Sequence, residues 1–120
     1  MYLLLDEIER IGKVYNLGRD TEIARCRKIS VNLLINNLEK LKNIYGDEFY
    51  SIINSIDTQI LLGTNIKADI EYFSDLLGLD DEFIKNDMEN DKLLIYERGL
   101  KAIMAEKQWY FEMEEWKESL

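Results

Sequence analysis

Two adjacent carboxylates, Asp6 and Glu7, are the residues whose types and spacing most favour chemistry. They directly follow the apolar run Tyr2-Leu3-Leu4-Leu5. A run this short is typical of a strand that is buried on both faces of a parallel sheet. Open α/β sheets bind ligands at the carboxyl ends of their strands, which is where these acids would lie. Two alternatives stay open on these residues: the run begins a buried helix, or the acids cap the following helix.

Composition excludes several other kinds of site. The 120 residues include no histidine, which removes Ser-His and Cys-His hydrolysis, and Cys26 is the single cysteine, which permits neither an internal disulfide nor a cysteine-rich zinc site. The formal net charge of −9 argues against tight, sequence-independent nucleic-acid binding by this chain alone. No apolar run approaches the roughly 20 residues of a membrane helix, and the start lacks the basic region of a signal peptide. We therefore expect a cytoplasmic protein that does not insert into a membrane. It would reach the inner face of the membrane only through partners.

Apolar periodicity predicts strands alternating with helices, and hence parallel crossover units in a single partial domain over 1–120. In the last third it predicts a short helix at 82–88, a hairpin and an acidic amphipathic helix over 106–120. That tail carries one apolar stripe, made of Trp109, Met113, Trp116 and Leu120. We expect the stripe to pack on its own domain; the alternative is that it binds in a groove of a partner protein. The predicted strands are 2–5, 29–35, 57–62, 92–97 and 100–104, and the main helices are 20–28, 36–45, 47–54 and 66–77.

The sequence lacks the phosphate-binding loop found in many nucleotide-binding proteins. None of the six glycines begins a G-x-x-x-x-G-K-[ST] motif, the loop whose backbone cradles phosphates. We therefore expect the isolated chain to bind neither ATP nor magnesium well by itself.

Several segments together carry a family resemblance. The segment Leu3 to Val14, read LLLDEIERIGKV, resembles the Walker B region of TraG-like conjugative coupling proteins, the coupling ATPases of type IV secretion systems. The similarity continues in order through five further segments, one of which is LLG at 76–78, and covers most of the chain up to about residue 111. The other four are IARCRKIS at 23–30, LKNIYGD at 41–47, DTQILLG at 57–63 and IYERGLK at 95–101.

The resemblance implies an α/β fold, namely the carboxyl-terminal half of a RecA-like P-loop ATPase from Walker B onward. That half would have a mostly parallel sheet, flanking helices, a terminal hairpin and a final helix. In relatives, the implied activity is ATP-driven delivery of DNA or nucleoprotein to a secretion channel by a hexamer. DNA would therefore meet this chain only through the intact motor.

The resemblance also implies roles for particular residues. Asp6 would hold the magnesium ion of bound ATP, and Glu7 would orient the attacking water. Arg25, nineteen residues after Asp6, would be an arginine finger for the neighbouring subunit, with Arg27 as the weaker candidate. The alternative for Arg25 is a surface pair with Glu22.

Some positions depart from the family pattern. Asn36 stands where the family usually carries a glutamine that senses the γ-phosphate or water, and its amide is one methylene shorter. Lys40 replaces a second glutamine, and Gly63-Thr64 replaces a glycine pair. These departures and the missing phosphate loop weaken the expectation of catalysis by this polypeptide alone.

Two functional hypotheses follow from the resemblance. In the first, the chain is a fragment of a coupling ATPase, active only with motor subunits or a polypeptide that supplies the Walker A half. In the second, it is a standalone remnant that acts as a non-catalytic protein-binding or regulatory module. A third interpretation makes Asp6 and Glu7 helix caps in an unrelated α-rich acidic protein.

Overall fold

The computed structural model describes residues 1–87 and 91–119, which form two compact units, Met1–Asp57 (unit 1) and Thr58–Leu120 (unit 2). Among the described residues, no helix is long and apolar enough to cross a membrane. Unit 1 contains β1 (Tyr2–Leu5), α1 (Ile8–Ile11), α2 (Leu17–Cys26), β2 (Ser30–Leu33), α3 (Leu38–Tyr45) and α4 (Glu48–Asn54). Unit 2 contains β3 (Thr58–Leu61), α5 (Lys67–Leu77), a π-helix (Phe83–Asp87), β4 (Lys92–Glu97), β5 (Ile103–Glu106), a 3-10 turn (Tyr110–Glu112) and α6 (Glu114–Glu118).

Strands β1 and β2 form a parallel pair in which Tyr2 is opposite Ser30 and Leu5 is opposite Leu33. The strand at residues 2–5 is therefore confirmed, and the interpretation of an α-rich protein without it is wrong. The prediction that this strand is buried on both faces is also wrong, because Tyr2 is 85% and Leu4 63% exposed. A strand is buried on both faces only where layers cover both, and β1 belongs to a sheet of two strands.

The core of unit 1 is helical. Its fully buried side chains include Ile8 of α1, Leu41 of α3 and Ile52 of α4, and Tyr45 and Phe49 pack with them. The hydroxyl of Tyr45 also accepts a hydrogen bond from the backbone N–H of Val14, at 3.0 Å. The chain between α1 and α2 is thereby tied to α3.

Helix α2 begins at Leu17, three residues before the predicted N-cap at Asp20. Gly18 lies before the predicted helix 20–28, but it is the second residue of α2 and is buried. A Cβ atom at Gly18 would lie 3.1 Å from the Cβ of Ser51, so the absence of a side chain lets α2 approach α4 closely.

Helix α3 follows its prediction closely. The side chain of Asn37 accepts a hydrogen bond from the backbone N–H of Lys40, and Gly46 ends the helix with a φ of 56°. Asparagine at an N-cap and glycine after the last turn are the usual signals of helix ends. Helix α4 lies within its predicted range as well.

Unit 2 corrects the predicted sheet. Strand β4 pairs antiparallel with both β3 and β5, so in the described chain only β1 and β2 are parallel. The prediction of a mostly parallel sheet is therefore not confirmed, whereas the final hairpin is. The hairpin turn is longer than predicted, so β5 covers 103–106 instead of 100–104.

The two faces of the unit 2 sheet differ. Leu61 and Leu94 are opposite one another and buried, and on the same face Gln59 accepts a hydrogen bond of 2.8 Å from the hydroxyl of Tyr72 in α5. Ile60, Ile95 and Ile103 form a row across the other face. Ile60 is 54% and Ile103 57% exposed, although an exposed sheet face usually carries polar residues. We call this row the isoleucine face.

The end of the chain departs from its prediction. Instead of one amphipathic helix over 106–120, a 3-10 turn precedes the short helix α6. Trp109 and Phe111 stack on each other at 5.9 Å and are both exposed, so Trp109 is not packed into a core. The predicted positions Met88 and Leu120, and the side chain of Trp116, lie outside the described residues. The predicted helix at 82–88 is a π-helix over Phe83–Asp87.

Candidate functional site

The predicted acids lie where β1 ends. Asp6 is exposed and Glu7 is half-buried. The backbone of Glu7 has φ 48° and ψ 46°, a left-handed conformation that non-glycine residues adopt rarely. This conformation turns the chain from β1 into α1, and the Glu7 carboxylate accepts a 3.1 Å ion-paired hydrogen bond from Arg10. Glu7 precedes α1 but makes no side-chain capping bond, so the helix-cap alternative is not supported at this residue.

Asn36 lies beside Glu7. It follows the end of β2, and its amide nitrogen Nδ2 donates a long hydrogen bond of 3.4 Å to Oε1 of Glu7. Because β1 and β2 are parallel, their carboxyl ends meet at one edge of the sheet. The fold thus brings together three of the four predicted site residues, Asp6, Glu7 and Asn36.

A further residue, Glu9, belongs to this edge and was not predicted. The residue is 8% exposed, and its carboxylate oxygen Oε1 accepts a hydrogen bond of 3.0 Å from the backbone N–H of Asn36. Its other oxygen, Oε2, is buried and has no hydrogen-bond partner among the described residues. No spacing rule marks Glu9 in the sequence, since it resembles any charged residue on a short helix.

Arg25 lies elsewhere in unit 1. It is in the last turn of α2, which precedes the start of β2, whereas Asp6 and Glu7 follow the end of β1. Its Nη2 lies 2.8 Å and 2.7 Å from the two carboxylate oxygens of Asp57 and 3.3 Å from the carbonyl oxygen of Ser55. The surface pair suggested with Glu22 is therefore formed with Asp57, at a sequence distance that helical spacing cannot predict.

A shallow apolar groove of about 270 Å³ runs beside α2. Leu3 of β1, Val31 of β2 and Ile23 of α2 line it, and Arg27 reaches its edge. Arg27, the weaker candidate for the arginine finger, thus lies at this groove, whereas Arg25 pairs with Asp57.

Comparison with known proteins identifies the family. Residues 1–94 match the family described as the TraM recognition site of TraD and TraG. The chain belongs to this family. The resemblance to TraG-like coupling proteins seen in the sequence is thereby confirmed, whereas a search of curated proteins gave no significant match.

Solved structures agree on the fold. The bacterial conjugative coupling protein TrwBΔN70, in a trigonal form with sulphate, superposes with a TM-score of 0.74 at 14% identity over 89% of this chain. TrwB in complex with ADP and Mg²⁺ gives 0.73 at 15% identity over 93% of this chain. The chain covers 30% and 32% of those two structures, which is about a third of their length.

The chemistry of the donor set in this TraD/TraG family member is compatible with magnesium. Asp6 and Glu7 offer carboxylate oxygens and Asn36 an amide oxygen, and Mg²⁺ prefers oxygen ligands but needs only one or two from protein when phosphates and water supply the rest. Among the described residues, no group of three acidic or cysteine side chains could enclose a metal ion alone.

Proposed function

We propose that this chain forms the Walker B side of an ATPase site in a conjugative coupling assembly. The observation that carries the proposal is the meeting of Asp6, Glu7 and Asn36 at one edge of the parallel pair, within the segment that matches the TraD/TraG family. In the complete assembly, the role that follows is ATP-driven delivery of DNA or nucleoprotein to a type IV secretion channel. DNA contacts belong to that assembly and not to this acidic chain alone.

Each residue at this edge has a distinct role in the proposal. Asp6, which is exposed, would hold the magnesium ion of bound ATP. When bound, that ion would partly neutralise the negative charge of the phosphate that the water attacks. The Glu7 carboxylate would orient that water, and the Asn36 amide nitrogen would hold Glu7 in place, at the observed 3.4 Å. Glu7 is already half-buried and paired with Arg10, which limits its rotamers before any nucleotide is present.

Arg25 would act on the neighbouring subunit's nucleotide. A guanidinium binds phosphate oxygens in a fork and stays charged at every relevant pH. Both oxygens of Asp57 and the carbonyl of Ser55 hold the Arg25 guanidinium at the surface of unit 1, where the pair is about half exposed. Exposure of this kind suits a residue that acts in trans rather than at its own chain's Glu7.

The phosphate loop would come from a second polypeptide or a second segment. No G-x-x-x-x-G-K-[ST] motif occurs in these 120 residues. The exposed side chains of Tyr2 and Leu4 give such a partner apolar surface to cover, which would complete the burial that a parallel sheet normally has.

The test is reconstitution with a polypeptide that carries the phosphate loop. We expect magnesium-dependent ATP hydrolysis that falls at least about 100-fold in Glu7→Gln, which keeps the size of the side chain but removes its charge. Arg25→Ala should lower turnover by a similar factor, because an arginine finger contributes about 10³-fold or more. Glu22→Ala, an exposed acidic position on α2, is the matched control and should leave turnover unchanged. Equal turnover in all variants would refute the site assignment.

Protein recognition is the second candidate function. The family description names recognition of TraM, and unit 2 carries the exposed isoleucine face, which suits a protein partner. In this candidate the chain docks on motor subunits or on a TraM-type protein and hydrolyses nothing. Ile60→Lys should then weaken binding to that partner by at least about tenfold, because a charge would be desolvated in the contact.

Asn65→Lys is the control for this second candidate. It adds the same charge at an exposed loop position of unit 2, outside the three strands that carry the isoleucine face. Binding that persists in Ile60→Lys as in Asn65→Lys would exclude this face. Hydrolysis in the reconstituted mixture, lost in Glu7→Gln, would favour the first candidate.

A further inference from the structure

The contacts between β1 and β2 continue beyond both strands. The backbone N–H of Leu34 donates to the carbonyl of Leu5 at 2.9 Å, and the N–H of Ile8 donates to the carbonyl of Leu34 at 3.3 Å. The next contact in this series is no longer backbone to backbone. It is the 3.0 Å hydrogen bond from the N–H of Asn36 to the carboxylate of Glu9.

Glu9 therefore takes the place of a strand carbonyl. A carboxylate is a stronger acceptor than a carbonyl, and a buried one holds its donor more tightly than an exposed one. Glu9 is more than nine-tenths buried on α1, two residues after the half-buried Glu7. The backbone of Asn36 is fixed by Glu9 while the side chain of Asn36 reaches Glu7.

The placement of Glu9 is costly for folding alone. Its Oε2 is buried without a hydrogen-bond partner among the described residues. Burial of a polar oxygen in this state opposes folding, and an apolar residue on α1 would pack without that penalty. A residue that is unfavourable in the core and bonded to a site residue is typical of a functional constraint.

We propose that Glu9 is the positioning residue of this edge: it fixes the backbone of Asn36 so that the asparagine amide faces the Glu7 carboxylate. This inference rests on the proposed ATPase function for its catalytic consequence, but its geometric part stands on unit 1 alone. Glu9 touches no reacting group and acts through Asn36. The shortened amide of Asn36 makes such fixing important, because a shorter side chain has less reach to compensate for a displaced backbone.

The test compares Glu9→Ala with Glu9→Gln in the full chain. Glutamine keeps an oxygen that can accept the Asn36 N–H, whereas alanine removes it. We expect amide hydrogen exchange at Asn36 to become at least roughly tenfold faster in Glu9→Ala and to return most of the way to the wild-type rate in Glu9→Gln. Exchange at Leu41, in the core of unit 1, reports whether the variant is folded, and Glu39→Ala is the exposed acidic control.

The catalytic part is measured with MgATP in the mixture that carries the phosphate loop. Glu9→Ala should lower kcat about 10- to 100-fold with KM changed less than about twofold, and Glu9→Gln should restore most of kcat. Unchanged Asn36 exchange in Glu9→Ala, or equal losses in the alanine and glutamine variants with Leu41 still protected, would overturn the proposal. A wild-type mixture without hydrolysis would refute the proposed function, and the exchange rates would then decide the role of Glu9 by themselves.

Discussion

Unit 1 and unit 2 use their sheets in opposite ways. Unit 1 has a two-stranded parallel sheet whose carboxyl edge gathers polar groups, while unit 2 has a three-stranded antiparallel sheet with one buried face and the isoleucine face. Their charges differ too: unit 1 has eight Lys or Arg against nine Asp or Glu, a net charge of −1, and unit 2 has seven against fifteen, a net charge of −8. The acidity of the chain is therefore mainly a property of unit 2.

This contrast assigns the two candidate functions to different units. The residues suited to nucleotide chemistry lie in unit 1, where charge is balanced and a polyanionic ligand meets less repulsion. Acidic charge is concentrated in unit 2, whose isoleucine face suits a protein partner better than DNA. Four changes test how far this division holds.

Core truncation should have the largest effect. Ile52 is fully buried in unit 1 and Leu94 is buried in unit 2, so Ile52→Ala and Leu94→Ala should each lower the free energy of unfolding of their unit by about 2–5 kcal/mol. Circular dichroism follows both units, whereas tryptophan fluorescence follows only unit 2, because both tryptophans, Trp109 and Trp116, belong to it. A fluorescence transition shifted by Ile52→Ala as much as by Leu94→Ala would show that the units unfold as one, and the comparison would break down.

A larger side chain at Gly18, where α2 approaches α4, should have the second-largest effect on stability. Gly18→Val places methyl groups beyond a Cβ that is already 3.1 Å from the Cβ of Ser51, and we expect a loss of about 1–3 kcal/mol in urea unfolding. Ala68→Val, at the same second position of α5 in unit 2 and only half-buried, is the matched control with a smaller expected loss. Because valine has a higher helix propensity than glycine, a loss in Gly18→Val no larger than that in Ala68→Val would mean that the α2–α4 approach is not as tight as 3.1 Å suggests.

The hydroxyl of Tyr72 should contribute less, and in a pH-dependent way. Burial raises the pKa of Tyr72 above its usual value, with a smaller contribution from Tyr96, while the hydrogen bond to Gln59 opposes the shift. Because the pKa is higher in the folded state, the contribution to stability is complete below about pH 10 and is lost as the pH rises through the folded-state pKa. Tyr72→Phe should cost about 1 kcal/mol at pH 7 and reduce the alkaline loss. If Tyr72→Phe unfolds at alkaline pH with the same profile as the wild type, the predicted pH dependence is wrong. Tyr50→Phe, at an exposed tyrosine of unit 1, is the control.

The pair between Arg25 and Asp57 should have the smallest effect on stability. Its side chains are 55% and 54% exposed, and exposed pairs contribute about 0–1 kcal/mol. A double-mutant cycle with Arg25→Ala and Asp57→Ala should therefore give a coupling energy below about 1 kcal/mol that decreases as salt is added. A coupling above about 2 kcal/mol would make Arg25 a structural residue of unit 1 and weaken its assignment to a neighbouring nucleotide.

Local signals in the sequence predicted much of unit 1. An apolar run before two acids located β1, and Asn37 with Gly46 marked the ends of α3, because strand and helix ends depend on residues close in sequence. The start of α2 was placed late, since Gly18 is favoured in a helix here only by its contact with α4. A contact between residues 33 positions apart leaves no mark in the local pattern.

Strand direction and burial could not be predicted in the same way. Whether β3 and β4 pair parallel or antiparallel depends on the path of the chain that connects them, and apolar periodicity does not encode that path. Exposure of Tyr2 and Leu4 depends on which layers cover the sheet, and a run of leucines is the same sequence whether covered or not. The tail was predicted as one helix from its apolar stripe, but Trp109 and Phe111 bind each other instead of a core.

The sequence by itself determined the family, the acids at the end of β1, the absence of a phosphate loop and most element types, because these properties reside in residue identity and short spacing. Only the tertiary structure decided three contacts: the Asn36 amide donates to Glu7, the buried Glu9 carboxylate accepts from the Asn36 backbone N–H, and Asp57 pairs with Arg25. These contacts join residues 27 to 32 positions apart. Such pairs are set by the way the strands and helices pack, which no local rule records.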